Sequence, residues 1–405
     1  MKTRKLDSIA GDDGTYLFQN YGDRLPVCFT RGEGSHLFDQ DNRRYVDFFS
    51  GIAVSSLGYG NRALARAIHV QADRILHSSN WYFNREQNEA ARLISGLTFP
   101  GKTLFTNSGT EANEAALKLA RLYGRARSDN RYQIISFSGS FHGRTFGAMS
   151  ATGQEKIRKG FDPLLPGFIH LPFNDFESLR KEIEGNAGVC AVITELIQGE
   201  GGIRLAEKDF IVRAEKLCRE RGVLLIIDEV QTGVGRTGKF CVYQHYGIRP
   251  DIITFAKGLG GGVPIGAIHA RADVAKHLEK GTHGTTFGGN HLACAAATAV
   301  MKTIGKKSFM DQVLRKGEFI RARLAELKAK TPIIREIRGM GLHTGVELDR
   351  PGLDLVKKAL GAGLVINCTS ENVIRIMPPL TIDMKTIREG IGILEKIITS
   401  EGGAR

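Results

Sequence analysis

Four short apolar runs mark the middle of the chain: Gln133–Phe137 (QIISF), 190–194 (CAVIT), 223–227 (VLLII) and Ile252–Phe255 (IITF). Each has strand length and is nearly continuous in apolar residues, the pattern of a strand covered on both faces. Helical spacing fills the gaps between them. Phe176, Leu179 and Ile183 share one face, as do Phe210, Ala214, Leu217 and Cys218. Strand and helix in alternation predict an α/β fold with a mainly parallel central sheet flanked by helices and joined by right-handed crossovers.

Past residue 290 the pattern changes. Val313, Gly317, Ile320, Leu324 and Leu327 outline a long helix. Runs at 333–338, 342–348 and 373–377 read as strands, and Ile387, Ile391, Leu394 and Ile398 mark a last helix. Bunched strands with flanking helices predict a smaller α+β domain at 290–405, beside a large domain at 51–289. The first 50 residues are strand-like, with turn signals at 32–34 and 41–42, and their pattern leaves open which domain they pair with.

Length agrees with this division: 405 residues, at about 150 per domain, predict two to three domains. No apolar run approaches the roughly 20 residues of a membrane span. The basic start MKTRKLDSIAGDDG has no apolar segment behind it, so no secretory leader and no membrane partner are expected. The six cysteines form no CxxC pair and none stands at zinc-finger spacing. Free thiols, a reducing cytoplasmic setting and no metal are the expectation. The net charge of +13 raises nucleic-acid binding, but lysine and arginine are dispersed without a basic tail. A basic enzyme that attracts anionic small molecules is the better expectation.

Open parallel sheets place ligands beyond the carboxyl ends of their strands. Four strands end on reactive residues here. QIISF runs into 138–144 (SGSFHGR), and CAVIT into Glu195 and then 198–202 (QGEGG). VLLII is followed by Asp228 and Gln231, and IITF by Ala256, Lys257 and a glycine loop. Asp228, directly after five apolar residues, is a buried charge in need of a partner. Lys257 is either a loop cation or an amine nucleophile prepared by burial. On neighbouring strands the two point to pyridoxal phosphate, whose aldehyde a lysine holds and whose ring nitrogen an aspartate holds. The stretch 106–113 (TNSGTEAN) then offers a phosphate cup, small residues opening a helix.

One motif competes. Residues 233–238 (GVGRTG) match GxGxxG. They stand several residues beyond their strand, and 239–247 lacks a helical pattern, so a dinucleotide site is not expected.

Across 21–398 the chain resembles the class III, fold-type-I pyridoxal-phosphate aminotransferases. The resemblance rests on 51–54 (GIAV), 107–114 (NSGTEANE), 141–145 (FHGRT), 198–202 (QGEGG), 225–231 (LIIDEVQ), 255–258 (FAKG), 286–290 (TFGGN) and 375–380 (RIMPPL). It implies that Lys257 holds the cofactor and shuttles the proton, and that Asp228 pairs with the ring nitrogen. Phe141 is implied to stack on the ring, with His142, Glu195 and Gln231 around it. Ser108, Gly109 and Thr110 are implied to hold the phosphate, and Thr286 to reach the phosphate of the other subunit in a homodimer with shared sites. Arg375 is implied to clamp the α-carboxylate of glutamate or 2-oxoglutarate. Glu200 covers Arg375 during the other half-reaction, and Arg144 meets the donor's distant carboxylate. Tyr21, across a one-residue offset, is implied to contact the substrate. Ile52 and 363–368 (GLVINC) resemble the acetylornithine branch. The resemblance also places residues 1–50 with the small domain.

Overall fold

The computed structural model describes residues 4–127 and 131–402. Its centre is a seven-stranded sheet in the order Lys102–Thr106, Gly266–Ala270, Ile252–Phe255, Leu224–Asp228, Val189–Thr194, Gln133–Phe137, Phe168–Leu171. Neighbours pair in parallel from Ile252–Phe255 through to Phe168–Leu171. Gly266–Ala270 runs antiparallel to both of its partners. The four apolar runs read from the sequence are thus adjacent strands, buried throughout except for Gln133. Pairing extends one residue further than the apolar pattern, so Asp228 is the last strand residue, in register with Thr254.

Helices cover both faces. Phe176–Gly185 and Lys208–Arg221 bury Leu179, Ile183, Phe210, Ala214 and Leu217 against one face. Gly109–Arg125 buries Ala112, Ala116, Leu119 and Ala120 against the other. The alanines let that helix lie close to the sheet, which brings its first turn to the strand ends.

The C-terminal part forms an antiparallel sheet in the order Ile334–Met340, His343–Leu348, Val373–Ile376, Asn367–Thr369. The helix Lys307–Lys328 packs against it, and the helix Met384–Gly402 packs on Lys307–Lys328. The N-terminal strands Phe29–Glu33, His36–Asp39 and Arg44–Asp47 form a second small sheet. It is completed by Leu364–Val365, with Val46 opposite Leu364. The question left open by the pattern is answered by this pairing: the N-terminal strands join the C-terminal part. All six cysteines are free thiols. No described helix is long and apolar enough to cross a membrane.

Candidate active site

The helix Gly109–Arg125 begins on Ser108, whose hydroxyl accepts from the Glu111 amide at 3.3 Å. The first amides of a helix have no intrahelical acceptor, so those of Gly109 and Thr110 face the cavity in front of them. The Thr110 hydroxyl accepts from the Arg144 and Thr145 amides at 3.1 and 3.2 Å, fastening the 141–145 loop beside the helix start. Between them lies a cavity of about 380 Å³ lined by Ser108, Gly109, Thr110, Phe141, Asp228 and Lys257.

Asp228 sits at its floor, 3% exposed. Oδ2 accepts from His142 Nδ1 and Asn113 Nδ2, both at 2.8 Å, and Oδ1 accepts from the Val230 amide at 3.0 Å. Burial pushes this carboxyl up, but the hydrogen bond and charge of His142 with the Val230 and Asn113 donors outweigh it and hold it below the usual range. Asp228 is therefore a buried anion ready for a cationic partner. Glu195, one strand over, accepts from the Phe141 amide at 2.9 Å and the Gly199 amide at 3.1 Å. Burial raises it to about 7. Two adjacent buried acids are thus pushed apart by their surroundings.

Lys257 follows the strand Ile252–Phe255 with φ 43°, a left-handed conformation that a non-glycine residue adopts only under constraint. Burial pushes its ammonium down, more than Glu200 and Asp228 hold it up. Its side chain borders both the inner cavity and an outer one of about 590 Å³, lined by Ile52, Phe141, Arg144, Glu200 and Cys368 among others. Lys257 stands where the two spaces meet.

Arg375, 1% exposed, lies beside that meeting point. Its Nη1 donates to Glu200 Oε1 at 2.5 Å and to the Gly199 carbonyl at 3.2 Å, and its Nε donates to Asn367 Oδ1 at 2.8 Å. Gln231 Nε2 donates to the same Glu200 oxygen at 3.3 Å. Burial raises the Glu200 carboxyl, and the Arg375 charge overcomes this and lowers it. A Cβ on Gly199 would stand 2.0 Å from Gln231 Oε1, so a side chain there would push the Gln231 amide from its place beside Glu200.

The residues named from the sequence mostly converge. Ser108, Gly109, Thr110, Phe141, His142, Glu195, Asp228, Gln231 and Lys257 line the inner cavity, and Ile52, Arg144 and Glu200 the outer one. His142 acts through Asp228. Two residues lie elsewhere. Thr286 is exposed, beside Asn80 and Trp81 in a separate cavity. Tyr21 is 80% exposed, stands beneath the Arg24 guanidinium, and is not among the residues lining either cavity. Residues 17–28 form no helix or strand that would carry it there. Asn113 and Asn367 were not singled out by sequence reasoning. Asn113 carried a signal, a polar residue on the helix face otherwise lined by Ala112 and Ala116; Asn367 carried none.

Pyridoxal phosphate fits this donor set. Asp228 is an ionised carboxylate for a pyridinium, Lys257 an amine of lowered basicity for the aldehyde, and the first amides of Gly109–Arg125 a seat for the phosphate. Among the described residues no group of three or more His, Cys, Asp or Glu is placed to hold a metal.

The sequence matches the family described as "Aminotransferase class-III" over residues 17–398. It is 48% identical over 386 residues to an acetylornithine aminotransferase of Caldanaerobacter subterraneus subsp. tengcongensis, covering 95% of this chain and 97% of that protein. It is 49% identical over 386 residues to an acetylornithine aminotransferase of Aquifex aeolicus, covering 95% and 100%. The crystal structure of the ornithine aminotransferase from Toxoplasma gondii ME49 superposes with a TM-score of 0.95 at 32% identity, over 100% of this chain and 97% of that one. A family match across almost the whole length, with the lysine, the aspartate and the helix start converging on one cavity, leads to one conclusion: the chain belongs to the class-III aminotransferases and is a pyridoxal-phosphate-dependent transaminase.

Proposed function

We propose that the enzyme transfers the δ-amino group of N2-acetylornithine to 2-oxoglutarate, giving N-acetylglutamate 5-semialdehyde and glutamate, a step of arginine biosynthesis. The observation that carries this reading is the contact between Arg375 and Glu200. One site must accept two unlike amines, a side-chain amine with no carboxylate near it and an α-amine with one. Glu200 neutralises Arg375 while the side-chain amine is bound. The α-carboxylate of glutamate or 2-oxoglutarate then displaces Glu200 and takes the guanidinium, whose planar fork suits it. Arg144, exposed at the rim of the outer cavity, is placed for the donor's own carboxylate.

Pyridoxal phosphate, when bound, supplies the electron sink that makes the proton on the amine-bearing carbon removable. Lys257 Nζ holds the cofactor at rest and, once the donor amine takes its place, is free to accept that proton. Burial lowers its basicity, which favours the free-amine form that a base requires. Asp228 keeps the ring nitrogen charged, and Phe141 closes one side of the cavity.

The enzyme is further proposed to be a homodimer. Trp81, Tyr82 and Phe83 are 93%, 71% and 100% exposed, and Phe287, next to Thr286, is 60% exposed. So large an aromatic surface is characteristic of an interface. On this reading Thr286, exposed beside Trp81, serves a partner's phosphate site.

The test is the absorbance spectrum of the cofactor-loaded enzyme. N-acetylornithine alone should bleach the band of the lysine-bound cofactor, and 2-oxoglutarate should restore it. A band bleached by ornithine and unmoved by N-acetylornithine would instead assign ornithine as the donor.

A further inference from the structure

The GxGxxG match at 233–238 takes no part in the cofactor cavity, yet it carries Arg236, which with Arg375 is one of the two largest fully buried side chains of the described residues. The motif explains how that side chain is delivered. Val234, Gly235 and Gly238 have φ of 55°, 83° and 86°. A Cβ on Gly235 would stand 2.5 Å from Ile304 Cγ2. The turn is left-handed and pressed against its neighbours, which requires glycine there.

Arg236 points into the junction of three parts of the chain. Its carbonyl accepts from the Leu342 amide at 3.0 Å, and its Nη1 donates to the carbonyls of Leu342 at 3.1 Å and Pro378 at 2.5 Å. The charge facing it is Asp47, 1% exposed, which accepts from the Phe49 and Ser50 amides and the Tyr59 hydroxyl, each at 2.8 Å. Burial pulls the guanidinium down to about 9 while Asp47 holds it up, so it stays charged at neutral pH. The Ser50 hydroxyl donates to the Met377 carbonyl at 2.6 Å, and the Met377 amide donates to the Phe48 carbonyl at 2.7 Å. Residues 377 and 378, two and three positions beyond Arg375, are therefore held twice: by Arg236, and by the segment 48–50 that Asp47 shapes. The same segment opens the turn Ser50–Ala53, four residues with φ between 46° and 66°, which presents Ile52 to the outer cavity.

We propose that Arg236, delivered by the 233–238 turn and faced by Asp47, is a positioning residue for Arg375: the two buried charges fix the chain on which the keto-acid clamp is mounted. This rests on the assignment of Arg375 to the carboxylate of 2-oxoglutarate. Small displacements of such a group cost rate steeply, up to about a hundredfold for an ångström.

The test uses the cofactor-loaded enzyme with R236M, R236K, D47N and the double variant R236M/D47N. R236M should raise KM for 2-oxoglutarate about tenfold or more and change KM for the amine donor less than about threefold. R236K, which keeps the charge and one donor, should recover part of the loss. D47N should raise KM for 2-oxoglutarate more than KM for the amine donor, which changes as well because Asp47 shapes the turn that presents Ile52, and for 2-oxoglutarate the double variant should be no worse than R236M alone, since both changes disable one device. A purely structural role would lower both half-reactions together. An unchanged ratio of the two KM values in both R236M and D47N overturns the proposal, as do strictly additive effects. Should R236M not fold, R236K and D47N decide it by the same ratio. A wild-type enzyme that does not accept 2-oxoglutarate would overturn the proposed function itself, whereas a competent wild type with indifferent variants overturns this inference alone.

Discussion

Arg375 Nη1 stands 2.5 Å from Glu200 Oε1; the guanidinium is buried, while the Glu200 side chain keeps 29% of its surface exposed. A buried guanidinium demands a counter-charge. Here the counter-charge sits on the glycine loop 198–202, where the carboxylate of a substrate can replace it. On the proposed function the pair is an exchangeable lid on a carboxylate site rather than a fixed strut.

Arg375→Ala should damage the 2-oxoglutarate half-reaction far more than the amine half-reaction, by on the order of a hundredfold in kcat/KM, the loss expected for a buried charged partner. Glu200→Gln should do the reverse, strengthening glutamate as amine donor and weakening the side-chain amine. Single-turnover spectra of each half-reaction measure both. Equal damage to the two halves in Arg375→Ala would remove the clamp role.

Lys257→Ala should leave a folded protein that lacks the absorbance band of the lysine-bound cofactor and does not turn over. Normal turnover in this variant contradicts the proposed role for Lys257.

His142→Phe removes the Nδ1 donor to Asp228 and keeps an aromatic ring of comparable bulk. Asp228 is held below the usual range largely by that partner, against burial. Without it the carboxyl should rise, and the acid limb of the kcat/KM profile should move to higher pH. A profile that keeps its acid limb in place rules this out.

Glu229 provides a pH-dependent stability effect outside the reaction. It is fully buried, accepts from the Thr232 hydroxyl at 2.7 Å and the Tyr243 amide at 3.0 Å, and burial raises it from 4.5 to about 7. The folded state thus keeps a proton that the unfolded state releases, and stability falls as pH rises from about 4.5 to 7. Glu229→Gln should remove that slope and gain on the order of 1–3 kcal/mol near neutral pH relative to the parent. Urea midpoints at pH 5 and pH 7.5 compare the two, and parallel slopes would contradict it.

Trp81→Asp should convert the proposed dimer into monomers, read by light scattering, because a charge replaces a 93% exposed indole at the proposed contact. A dimer that persists unchanged places the interface elsewhere.

Much of this site was legible in the sequence because strand ends are legible. A buried parallel strand is a run of apolar residues, so the first polar residues after it stand at the carboxyl edge of the sheet, where open sheets bind ligands. Asp228, Lys257 and Glu195 declared themselves in this way. The phosphate seat did so through Ser108, a helix cap, and the small residues behind it. What the sequence did not decide was every relation across long separations. Asn367 reaches Arg375 by the pairing of two strands, and the N-terminal strands chose Leu364–Val365 as their partner, neither of which leaves a local periodic mark. The 233–238 turn shows the same limit. Its GxGxxG spacing is a local signal, but that the turn carries a buried arginine between distant segments follows only from where Asp47, Leu342 and Pro378 come together. Local patterning is set by solvent and backbone geometry residue by residue, whereas the partners of a buried charge are set by which parts of the chain are packed against it.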